Sequence, residues 1–196
     1  QSYSIGVNGG DEIALYNLSI GITNAISPLK KNDFSRLNAR FNSDIELAKN
    51  LTTSFDISYI QTVRELRNDG IAESFASQIN SPGYLSLIKS PFLSPYQYDN
   101  AGNLTKKLED YDFLQIANPY AILEYGVGQT QKNIFNLALQ PSYKFNKSLT
   151  LSSRFSYSMN NTSENSFSPM YGVAPLVDLS KGFVSQNYVK TQFAKQ

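Results

Sequence analysis

Two carboxylates, Asp44 and Glu46, stand two residues apart in the stretch SRLNARFNSDIEL at 35–47. On an extended strand that spacing puts both on one face about 7 Å apart, a separation used by carboxylate pairs in glycoside hydrolysis. Glu109 and Asp110 form a second acidic pair. DNAGN at 99–103 opens like a calcium loop, but Gly102 comes too early for D-x-[DN]-x-[DN]-G and no acidic residue follows where the twelfth ligand is needed. A turn is the better reading. Histidine and cysteine are both absent, which removes thiol nucleophiles, disulfides, the usual zinc ligands and an imidazole base. Catalysis thus has no support beyond the carboxylates. The expectation is a non-enzyme with no catalytic residues, no cofactor and no metal.

The elements around those carboxylates are more informative. In 35–47 the odd positions read Ser35, Leu37, Ala39, Phe41, Ser43, Ile45, Leu47 and the even ones Arg36, Asn38, Arg40, Asn42, Asp44, Glu46. Such a period of two describes a strand with one apolar and one polar face. The same alternation runs through QSYSIGVN, through Ala14, Tyr16, Leu18, Ile20 and Ile22, and through LTTSFDISYIQTV from Leu51. It stops over 64–132, where Pro82, Pro91, Pro95 and Pro119 punctuate the chain and GYLSLIKS is the best helical stretch. It resumes with Phe135, Leu137, Leu139, Tyr143 and Phe145, then with Leu149, Leu151, Phe155, Tyr157 and Met159. The organisation predicted is four strands in 1–63, a long loop in 64–132, two strands in 133–160, and the start of a further loop in 161–196.

Turns after strands one, three and five take about three residues, whereas those after strands two, four and six take about seven, about 70 and at least 34. Short turns on one side and long loops on the other characterise outer-membrane barrels. Strands of about 12 residues exceed the usual five or six and suit a tilted membrane crossing. Mean hydropathy of −0.32 does not argue against this, because alternating strands average to such values. No apolar run reaches the length of a membrane helix. With 17 basic and 16 acidic residues the net charge is +1, which excludes no partner but favours no nucleic acid. The 13 Tyr and 12 Phe, without Trp, are residues of strand surfaces and membrane interfaces. Six strands cannot enclose water, and an open edge in lipid leaves backbone groups unpaired at several kcal/mol each. The fold expected is therefore all-β, an antiparallel transmembrane β-barrel segment with long extracellular loops, belonging to a larger barrel that continues in this polypeptide or in other chains. Because Gln1 follows no leader, either a leader has been removed or the chain starts within a protein.

SIGVNGGDEIALYNLSIGITN and DFSRLNARFNSDIELAKNLTTSFDISY resemble the repeated hairpin of the SusC/RagA family, the TonB-dependent outer-membrane transporters of Bacteroidetes. SPFLSPYQYDNAGNL is similar to the family's proline-then-YDENGN stretch, NPYAILE to its NPLALLE, and FNLALQPSYKFNKSLTLSSRFSYSMNN to its next hairpin. The resemblance covers about residues 1–165. Asn100 and Ala101 stand where the family usually has Glu-Asn, and the last 30 residues match loosely. It implies a plugged barrel of about 22 strands in the bacterial outer membrane. Its implied partners are a SusD-like surface lipoprotein, the TonB complex acting through a plug outside this chain, outer-membrane lipid, and an oligosaccharide or peptide cargo. In that setting Arg36, Asn38, Arg40, Asn42, Asp44, Asp56, Gln140 and Arg154 face the lumen and meet plug or substrate. Tyr84, Phe92, Tyr96, Tyr98, Tyr111 and Tyr120 in the long loop stack on sugars, pack on the lipoprotein, or pack on one another. The rival readings are a barrel of the outer-membrane secretion or assembly machinery and a soluble β-sandwich that binds glycans or acts as an adhesin.

Overall fold

The computed structural model describes residues 1–65, 81–168 and 184–195. Seven long lines of strand form one antiparallel sheet: β1 (Ser2–Gly10), β2 (Ala14–Ala25), β3 (Phe34–Ala48), β4 (Leu51–Glu65), β7 (Val127–Lys144), β9 (Phe155–Ser168) and β10 (Val184–Lys195). They lie side by side in that order, with the short β8 (Thr150–Ser152) also paired to β7. Their neighbours in sequence are their neighbours in space, except that β4 and β7 meet across the long connection. The sheet is all-β and open: among the described residues β1 and β10 are unpaired edges, and no barrel closes.

Register decides which residues share a face, since a slip of one residue would reverse a strand. Here it aligns all six alternations. Ile5 opposes Ile20, Ile20 opposes Ala39, and Ala39 opposes Tyr59. Tyr59 then opposes Phe135, followed by Met159 and Phe193. The polar residues likewise fall together on the opposite face.

Local chemistry sets the turns. Gly10 ends β1 at φ 153°, where an added Cβ would run into the Ala14 carbonyl oxygen. Asp11 then accepts from the Ile13 and Ala14 amides, each at 2.8 Å, and these bonds hold its carboxyl below the usual carboxylate range. Asn146 does the same for Ser148 and Leu149 between β7 and β8.

β8 and β9 continue one register against β7, so they are a single line interrupted at Ser153 and Arg154. The interruption lies opposite Pro141. The Ser153 amide reaches the Pro141 carbonyl at 3.0 Å, but proline has no N–H with which to answer it.

Compared with the sequence reading, β4 and β9 run further, β7 begins earlier at Val127, and β10 occupies part of 161–196, which was expected to be loop. The strand lines thus number seven rather than six. The strand ends beyond the expected bounds are polar on both faces: Gln129, Gln131, Asn161, Ser163 and Asn165 occupy positions of apolar parity. The parts of the two expected loops at 66–80 and 169–183 lie outside the described residues.

The buried hydrophobic residues sit in the long connection and not in the sheet. Leu85, Leu108, Ala117, Ala121 and Ile122 form this small core. It is built by helix α1 (Pro82–Ile88), the hairpin β5 (Tyr96–Tyr98) with β6 (Leu104–Leu108), and helix α2 (Pro119–Tyr125). Both helices begin alike: Ser81 and Asn118 cap them, each followed by proline at the first turn.

Candidate functional site

The polar face of the sheet carries the first site. Arg36, Asn38, Arg40, Asn42 and Asp44 line one side of β3, as their spacing requires. Arg36 and Arg40 each donate Nε–H to the amide oxygen two residues on, Asn38 at 2.8 Å and Asn42 at 3.2 Å. Asp56 opposes Asn42 on β4, and its carboxylate takes a 3.0 Å ion pair from Arg40. Both partners are about half exposed, so the pair contributes under about 1 kcal/mol. Its use is to fix the guanidinium in place.

A cleft of about 510 Å³ opens on this face across β3, β4, β7 and β9. Of the residues expected on a lumen, it brings together Asn38, Arg40, Asp56 and Arg154. Asp44 and Gln140 share a row through Ser54 nearer the short turns, outside the cleft, as are Arg36 and Asn42. The floor has a member that sequence reasoning passed over. Asn136 donates to Ser58 at 3.1 Å and accepts from Ser158 at 2.7 Å, tying three strands in one polar row. Its alternation parity placed it on this face, but only the pairing of β4, β7 and β9 shows what it joins. Glu46 lies beyond Asp44 next to a register irregularity, opposite Thr52.

The long connection forms the second site. Asn118 is fully buried, and its amide donates to the Pro95 and Glu109 carbonyls at 2.8 and 2.7 Å while its oxygen caps Tyr120 N–H at 3.1 Å. Nearby, Lys89 and Asp112 form a buried pair at 3.5 Å, and Asp112 also accepts from the Leu114 and Ile116 amides. These contacts make a folded unit of residues that carry little apolar bulk. It is fastened to the β2–β3 connection: Lys31 pairs with the Glu124 carboxylate and donates to its carbonyl, both at 3.0 Å, and Lys30 lies 5.4 Å above the Tyr120 ring.

The loop aromatics divide. Tyr96 and Tyr120 pack on each other with centroids 6.1 Å apart, and the bond to Tyr120 raises the Tyr96 phenol above its usual range. Tyr84, Phe92, Tyr98 and Tyr111 point outward, with Phe92 95% exposed. Asp99 closes the DNAGN turn by accepting from the Ala101 and Asn103 amides, which lowers its carboxyl. Its acceptor capacity is used within the turn. Among the described residues no cluster of acidic side chains could hold a metal ion.

The outer boundary of the sheet is also ordered. On the apolar face the row Tyr59–Phe135–Met159–Phe193 is followed by Gln61–Asn133–Asn161–Thr191. Tyr59 and Gln61 both donate to the Asn133 oxygen at 3.2 Å, and Thr191 donates to that of Asn161 at 3.3 Å. Aromatic side chains thus give way to an amide row within one step along the strands. No protein-family model and no curated protein matches this sequence.

Proposed function

We propose that this chain is a wall segment of an outer-membrane β-barrel importer of the TonB-dependent kind that its sequence resembles. The observation that carries the reading is the apolar face. Ile5, Val7, Leu18, Ile20, Phe155 and Phe193 are between 39% and 69% exposed, all on one side of a sheet whose register is continuous across seven lines of strand. Among the described residues no second layer covers them, as a sandwich would require. Exposed apolar surface on this scale marks contact with lipid or another protein.

Its height fits lipid. From Leu37 to Leu47 the apolar positions of β3 span about 33 Å along the strand, which a tilt of about 40° converts to about 25 Å across the bilayer. Aromatic residues stand near both ends of the band, with Tyr59 and Phe135 one row inside Leu37 toward the long connections and Tyr143 and Phe145 toward the short turns. No helix among the described residues is long and apolar enough to cross a membrane. In this arrangement the Arg40–Asp56–Asn136 face lines the lumen and meets a plug or a polar solute. The loop unit with Phe92 and Tyr98 at its surface meets cargo or a capture lipoprotein, and energy enters through a TonB-coupled plug outside these residues.

The test is the native polypeptide itself, extracted with detergent from an outer-membrane fraction and weighed intact. A mass several-fold above 21.9 kDa in that fraction is expected. Recovery in the soluble fraction without detergent would overturn the reading in favour of a sandwich.

A further inference from the structure

We propose that the row Arg36, Lys132 and Lys190 on the polar face binds an acidic oligosaccharide, a chain of hexuronate type, at the long-loop end of the lumen. The inference rests on the importer reading and narrows its cargo. Register brings these residues together from distant parts of the sequence. Thr23 opposes Arg36, Arg36 opposes Thr62, Thr62 opposes Lys132, Lys132 opposes Thr162, and Thr162 opposes Lys190. Directly opposed residues share a face, so six strands contribute one line in which a hydroxyl alternates with a cation.

None of the three cations makes an ion pair among the described residues. The three pairs found there are Lys31–Glu124, Arg40–Asp56 and Lys89–Asp112. Arg36 gives its Nε–H to Asn38, an uncharged acceptor, and no carboxylate pairs with it among the described residues. Among the described residues the other charged groups nearby on this face are Arg64 and Glu164, one row further out and both flanking Thr130, and their charges are opposite. Threonine hydroxyls cannot neutralise three cations, and a lumen wall focuses the field they produce. An anion is the complement, as it is in pores ringed by Arg and Lys.

Spacing selects the kind of anion. Successive cations are two strands apart, about 9.5 Å. An acidic peptide in β conformation presents carboxylates on one face about 6.8 Å apart and falls out of step. Alternate sugars of a hexuronate chain carry their carboxylates at close to the cation spacing, and their hydroxyls meet Thr62 and Thr162 between. The row also lies level with the outer amide boundary, because Arg36 is adjacent in sequence to Leu37 and Lys132 to Asn133. A solute arriving beneath the loop unit therefore meets it early.

The test uses the detergent-purified protein carrying this chain, with an oligogalacturonate, its fully methyl-esterified form and an acidic peptide of equal charge as calorimetric probes. The acid form is expected to bind more tightly than the ester. The triple change Arg36→Gln, Lys132→Gln and Lys190→Gln should weaken acid binding by about tenfold, the sum of three modest ion pairs, and leave the ester unchanged. Circular dichroism on the variant checks that the sheet is retained, and Lys132→Arg should preserve binding. Equal binding of acid and ester, no binding of either, tighter binding of the peptide, or an unaffected triple variant would each overturn the inference. Failure here with a large mass in the outer-membrane fraction removes only the cargo assignment, whereas a soluble protein removes the importer reading as well.

Discussion

Asn118 illustrates how one side chain can hold a long connection together. It is fully buried, and all of its side-chain hydrogen-bonding groups are used on the 95–120 segment. Asn118→Ala removes three bonds; the Pro95 carbonyl keeps the Glu109 N–H, but the Glu109 carbonyl and the Tyr120 N–H lose the Asn118 side chain, a loss of about 2–3 kcal/mol. The expected result is faster amide exchange over Tyr96–Tyr125, with exchange in β3 and β4 unchanged. The sequence offers a partial hint here. Asn-Pro is readable as the start of a helix, and α2 does begin there. That the same amide also clasps Pro95 and Glu109 depends on where the chain returns, which no local pattern records. The aromatic residues are similar: their types were plain, but the Tyr96–Tyr120 contact and the exposure of Phe92 follow from packing.

At the scale of elements, the faces of the strands were legible and their ends were not. The alternation of β1, β2, β3, β4, β7 and β9 named the apolar side of each before any pairing was known. The ends beyond Gln61 and Asn133 carry amides and hydroxyls on both sides, so periodicity fades there although hydrogen bonding continues. β10 is largely of that character and was read as loop. The division between β8 and β9 has a different origin, the missing N–H of Pro141. Because Ser153 donates to Pro141, the proline nitrogen faces the same strand and leaves the β4 ladder intact. Pro141→Val should supply the absent donor. The expected outcome is slower exchange through Ser152–Phe155 and no loss of stability, and unchanged exchange there would show that another cause breaks the strand.

For the molecule as a whole, the open question a sheet poses is what lies against each face. The chain contains no cysteine, so single cysteines introduced along β3 and β4 test the proposed membrane insertion in membranes that carry the protein. Asn38→Cys, Arg40→Cys and Ser58→Cys are expected to react with a water-soluble maleimide. Ala39→Cys, Ile57→Cys and Tyr59→Cys should resist it, and should react with a membrane-permeant reagent. An equal response on both faces would mean that water reaches the apolar side. The Lys31–Glu124 and Lys30–Tyr120 contacts belong to this scale too, since they fasten the loop unit to the β2–β3 connection and so place its exposed aromatics relative to the sheet.

The amino-acid sequence by itself determined the antiparallel β class, the two-faced character of the main strands, the inequality of their connections and the absence of thiol or imidazole chemistry. These are local properties, written in a period of two and in composition. Only the tertiary structure decided which polar residues become neighbours: Asn136 with Ser58 and Ser158, Arg40 with Asp56, and Arg36 in line with Lys132 and Lys190. Register between strands arises from pairing across the whole chain, so residues nearly a hundred positions apart meet only when the sheet has formed.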